Sequence, residues 1–112
     1  MLSILTSVKK LLGIQEDYDY FDTDILMNIN MVLPVLKQIG VDNNINTVTE
    51  ETTWEELSSS TEIVNLLRVY VALRVRLVFD PPTNSSLLDA MQKKVDELEW
   101  RLNVLVEDKE EQ

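Results

Sequence analysis

The 112-residue chain contains no cysteine and no histidine. The first absence excludes a disulfide framework and thiol chemistry. The second removes the commonest metal ligand and the commonest general base. Glycine occurs only at Gly13 and Gly40, so there is no glycine-rich phosphate loop. Positive charge is scarce, with 10 Lys and Arg against 20 Asp and Glu, a net charge of −10. A surface this acidic repels phosphates, so sequence-specific nucleic-acid binding is not expected. The opening MLSILTSVKKLLG is not built like a signal peptide, because its lysines follow the apolar residues. The expectation is an intracellular protein.

What is present is helical patterning. Leu5, Val8 and Leu12 recur at helical spacing, Lys9 and Lys10 suit the last turn, and Gly13 can close the helix. After the acidic loop QEDYDYFD, Asp22 or Thr23 can cap a second helix with the stripe Ile25, Ile29, Leu33 and Leu36. Gly40 is its expected stop. Pro34 cannot donate to the Asn30 carbonyl, so a kink there or an end at Leu33 is expected.

A long polar connection follows over residues 41–61. Thr53 and Glu56 have capping-box spacing, which predicts a helical turn around Trp54 to Leu57. This connection, rich in acid and free of base between Gln38 and Leu67, reads as an interaction arm.

Ser59 with Glu62 makes a second capping box and opens the apolar run from Ile63 to Phe79, which Asp80-Pro81-Pro82 ends. Arg68, Arg74 and Arg76 make this run too costly for a bilayer, so no membrane contact is expected. A helix apolar on every side needs cover, and a short chain offers little; further copies of the chain, or a partner, would supply it. The arginines either pair within the chain, with Asp80 or Glu97, or bridge to a neighbouring subunit. Trp54 faces the same alternatives of local packing and an interface. Trp54, Arg68, Arg74 and Arg76 are therefore the candidate subunit-interface residues.

The last helix starts near Ser85 or Ser86. Leu88, Met91, Val95, Leu98, Leu102 and Leu105 form a seam that should pack on the preceding helix. The expected fold is all-α: a small bundle with a long antiparallel helical hairpin, two shorter N-terminal helices and a polar connecting arm. Residues 1–106 should form one domain and 107–112 a flexible acidic tail. Trp100, Val104 and Val106 lie off the seam and need other cover. The first half of this helix is expected to pack within the subunit and its end to be freer.

No catalytic, cofactor-binding or metal-ligating residues are assigned. Asp17 and Asp19, and again Asp22 and Asp24, stand two apart, but the glycine and distal glutamate of a calcium loop are missing. Without His, Cys or a phosphate loop, an enzyme is not expected.

The segments LTSVKKLLGI, DYFDTDILMNIN and LRVYVALRVRLVFDPPTNSSLLDAMQKKVDELEWRLN together resemble the small head–tail connector proteins of tailed bacteriophages, also called adaptor, head-completion or DNA-packaging proteins. The DPP turn and the ELEWRLN ending are the most recognisable parts. The resemblance implies a mainly helical structural protein that forms a homo-oligomeric ring of about a dozen copies. The ring would sit beneath the portal protein, extend the DNA channel and receive a neck or tail-completion protein. It would reside at the head–tail junction of the virion, and in host cytoplasm during assembly. The C-terminal region of such proteins is implied to meet the portal, which makes Trp100, Val104 and Val106 the candidate portal contacts. The alternative reading is a small acidic regulatory protein that binds a basic host protein.

Overall fold

The computed structural model describes residues 3–41 and 45–110, with the side chains of 109 and 110 left aside. The chain forms four α-helices: α1 (Ile4–Leu12), α2 (Asp22–Ile39), α3 (Thr61–Phe79) and α4 (Ser85–Glu110). A 3-10 turn, Trp54–Glu56, lies between α2 and α3, and no strand occurs among the described residues. The all-α expectation holds.

Local chemistry sets most of the helix ends. Ser3 Oγ accepts from the Thr6 N–H at 3.1 Å and caps α1. Gly13, at φ +80°, ends it, and the next amide, Ile14 N–H, returns to Lys9 O at 2.9 Å. Gly40, at φ +113°, ends α2 in the same way, with Val41 N–H reaching Leu36 O at 2.9 Å. The cap of α2 is Phe21 rather than Asp22 or Thr23, and it makes no side-chain bond. The cap of α3 is Ser60, one residue beyond the expected Ser59, and its Oγ accepts from Ile63 N–H at 3.3 Å. Asn84 opens α4, its Oδ1 accepting from Ser86 N–H at 2.9 Å and Leu87 N–H at 3.1 Å.

Pro34 does not end α2, which continues to Ile39. Its ring lies on the exposed side, while Leu33 and Leu36 on either side are buried. Packing of that stripe offsets the lost hydrogen bond, a defect of about 3 kcal/mol in an unsupported helix.

Helix α3 is the centre of the molecule and packs against α1, α2, α4 and the 3-10 turn. Ile63, Val64, Leu67, Tyr70, Val71, Ala72 and Val75 are buried along it. The expectation that this helix lacks cover within its own chain is therefore corrected. The missing cover is the polar connection, which is no free arm. Val48, Trp54 and Leu57 from it are all buried. Asn30 on α2 holds it by a reciprocal pair: Val48 N–H donates to Asn30 Oδ1 at 2.7 Å, and Asn30 Nδ2 donates to Val48 O at 3.1 Å. Ile4 N–H donates to Thr52 O at 2.8 Å and ties the same segment to α1. The expected turn is in place, with the Glu56 carboxylate accepting from Thr53 N–H at 2.7 Å.

Helices α3 and α4 form the antiparallel hairpin. The buried seam of α4 is Met91, Val95, Leu98, Leu102 and Val106. Leu88 is exposed and Leu105 half-buried. The stripe thus drifts by one position at its end, as a straight helix of 3.6 residues per turn requires.

Candidate functional site

The four candidate subunit-interface residues divide once placed in the fold. Trp54, the first residue of the 3-10 turn, is fully buried where that turn packs on α3 and is withdrawn from any surface. Its indole N–H meets no acceptor among the described residues. Burial is the physical reason for this correction: the indole is part of the chain's own core. Arg74 lies along α3 one turn from Tyr70, its guanidinium carbon 5.8 Å from the ring centroid and its Nη1 donating to the phenol oxygen at 3.2 Å. Tyr70 is buried, and this burial pushes its phenol above the usual tyrosine range. The Arg74 charge opposes the shift and Glu99 adds to it.

Arg68 and Arg76 are half-buried, and their Nε atoms have no hydrogen-bond partner among the described residues. The ion pairs among the described residues are Lys9–Asp22 at 2.8 Å, Lys94–Glu97 at 3.5 Å and Arg101–Glu97 at 3.0 Å. Pairing of the α3 arginines with Asp80 or Glu97 is thus not the arrangement adopted.

The candidate portal contacts also separate. Trp100 stands on the outer side of α4, 68% exposed. Val104 is half-buried. Val106 is buried against the end of α2, where a Cβ on Gly40 would come within 2.8 Å of its Cγ1. Asn103 Nδ2 donates to Ile39 O at 3.0 Å and fastens the same junction. The expected freedom of the end of α4 is corrected: that end is docked. The exposed part is the beginning, where every residue from Thr83 to Ala90 is exposed, Leu87 and Leu88 included. The helix continues through Glu107 to Glu110, and residues 111–112 of the expected tail lie outside the described ones.

Three apolar surfaces escaped the sequence reading. Met27 and Met31 are exposed on α2, Tyr18 and Tyr20 on the acidic loop, and Val78, Leu87 and Leu88 at the hairpin tip. The methionines carried a signal, since they stand four apart and off the Ile25–Ile29–Leu33–Leu36 stripe. The tip carried none, because Leu88 continues the seam perfectly in sequence.

No group of three or more His, Cys, Asp or Glu that could hold a metal ion occurs among the described residues. Asp22, one of the four closely spaced aspartates, is committed to Lys9. No helix is long and apolar enough to cross a membrane among the described residues. What the molecule offers is surface: exposed aromatic and aliphatic side chains set in an acidic field.

A family model described as a phage connector protein matches residues 4–109. No curated protein and no solved structure matches the chain.

Proposed function

The chain belongs to the phage connector protein family, and on that premise we propose that it is a structural adaptor of the head–tail junction, built to assemble rather than to catalyse. The observation that carries this reading is the extent of the match, which spans all four helices and the connection between α2 and α3. In this reading about a dozen copies close into a ring by heterologous contacts. The ring sits beneath the portal, continues the DNA channel and receives a neck or tail-completion protein. The subunits reach it from the host cytoplasm. Arg68 and Arg76, half-buried with unpaired Nε groups, would meet carboxylates of a neighbour, and Trp100 would anchor a contact with the portal.

The charge supports the channel role. A lumen built from a chain of net charge −10 repels DNA phosphates and leaves the genome free to slide. Because α3 is already covered within the subunit, ring contacts are surface contacts, individually weak. The isolated protein is then monomeric at low concentration and assembles on the portal. Sedimentation velocity over a wide concentration range, alone and with portal protein, tests this, together with negative-stain images of the mixture. The expected result is a ring seen on the portal. A chain that stays monomeric and never co-sediments with portal, yet binds a basic host protein, would instead be an acidic regulator.

A further inference from the structure

An apolar cleft opens where the acidic loop meets the hairpin tip. It is lined by Leu12, Ile14, Phe21, Phe79 and Asp80, with a volume of 360 Å³. Phe21 and Phe79 form its floor, edge to face with centroids 5.2 Å apart. Tyr20 stacks edge-on against Phe21 at 4.9 Å and is 76% exposed, and Tyr18 lies 5.9 Å from the same ring and is half exposed. The aromatic row therefore runs from a half-buried floor to an open rim.

We propose that this cleft is a docking site for a segment of another protein in which an apolar side chain is flanked by arginine or lysine. The acidic residues alone would select nothing; the cleft supplies a place, and its rim supplies the sign of the charge. Asp80 lines the cleft and Asp17 and Asp19 flank Tyr18 in the loop; all three are exposed, and none is in an ion pair among the described residues. Of the cations nearby, Lys9 is consumed by Asp22 and the Glu16 carbonyl, whereas Lys10, exposed beside Ile14, and Arg76, one turn before Asp80, are in no ion pair among the described residues. An apolar side chain on the Phe21–Phe79 floor would bury area. Cations beside it would meet carboxylates and the faces of Tyr18 and Tyr20.

A second copy of this chain is the rival occupant, because its Arg68 and Arg76 have unpaired Nε groups, and self-association that the combined variant below abolishes would overturn the proposal in its favour. Nucleic acid is repelled by the same rim. The inference does not depend on ring formation, so it can fail or succeed apart from the adaptor reading.

The test uses the full chain and the synthetic peptide Arg-Arg-Leu-Leu-Arg-Arg, followed by amide NMR. Shifts should centre on Tyr20, Phe21 and Asp80, and the affinity should weaken about tenfold between low and high salt. Glu-Glu-Leu-Leu-Glu-Glu should leave the spectrum unchanged, and Arg-Arg-Gly-Gly-Arg-Arg should bind at least about tenfold more weakly, since it forfeits the apolar burial. The combined variant Tyr20→Ser, Asp19→Asn, Asp80→Asn alters only exposed side chains and should lose about tenfold in affinity for the first peptide. No binding of the first peptide overturns the proposal. So does equal binding of the glycine peptide, which would mean general charge attraction, or of the acidic peptide, which would mean unselective apolar contact.

Discussion

Lys9 is 2% exposed, an unusual position for an ammonium group in a chain with so few cations. Sequence reading puts it in the last turn of α1 as a partner of the helix dipole. The fold gives it two more partners, Asp22 Oδ1 at 2.8 Å and Glu16 O at 3.0 Å. It thereby pins the acidic loop and the start of α2 to α1. The two halves of the pair are not equally buried, since the Asp22 side chain keeps 20% of its surface. Removing Asp22 strands a buried ammonium, whereas removing Lys9 leaves a carboxylate whose Oδ1 is buried but whose side chain still keeps part of its surface in water. Asp22→Ala should therefore cost about 3–5 kcal/mol, and Lys9→Met less. Urea denaturation of the two variants measures the difference, and equal losses would show that the pair contributes through packing alone. Tyr70 gives a second residue-level expectation. Its folded pKa is raised, chiefly by burial, so the linked stability is present below the unfolded tyrosine value of about 10 and is lost as pH rises through the folded value. The urea midpoint should fall steeply in that alkaline window. Tyr70→Phe should flatten this fall, because Tyr18 and Tyr20 are exposed. A fall of unchanged steepness in the variant would assign it to other groups.

Among the elements, the ends written in local chemistry were legible. Gly13 and Gly40 close their helices, Thr53 with Glu56 makes its turn, and Asp80-Pro81-Pro82 stops α3, all as the sequence suggests. What stayed hidden depends on residues far apart in the chain. Asn30 holds Val48 across 18 positions, and Asn103 reaches Ile39 across 64. No periodicity reveals such pairs, so the connection looked like a free arm and the end of α4 like a free tail. The two glycines test this reading. Both have positive φ, but a Cβ at Gly13 meets nothing within 4 Å, whereas one at Gly40 strikes Val106. Gly13→Ala should cost about 1–2 kcal/mol from backbone conformation alone. Gly40→Ala should cost a further 1–3 kcal/mol or so from the forced contact. In the background of Val106→Ala, itself destabilising, the extra cost of Gly40→Ala should shrink towards that of Gly13→Ala. Thermal denaturation of this double-mutant cycle decides it; strict additivity would place Val106 away from the Gly40 junction.

At the scale of the molecule, the chain satisfies its own core and leaves its apolar surplus outside. Trp100 is the largest part of that surplus, on the outer side of the helix whose inner seam holds α3. Nothing in the subunit's interior depends on it, so Trp100→Ser should change stability by no more than about 0.5 kcal/mol. If it anchors the portal, the same variant should lose portal binding by about tenfold or more, as truncated aromatic anchors commonly do. Truncation after Asn103 cannot make this distinction. It removes Val106 and Leu105, which belong to the core, and should destabilise the fold before any docking is measured. Paired measurements on Trp100→Ser, denaturation for the subunit and co-sedimentation for the portal complex, keep the two effects apart. Full portal binding by a stable Trp100→Ser protein would move the contact from the outer face of α4 to another surface. The exposed hairpin tip, with Val78, Leu87 and Leu88, would then be the surface to alter next, because it projects apolar side chains that no other element of the subunit covers.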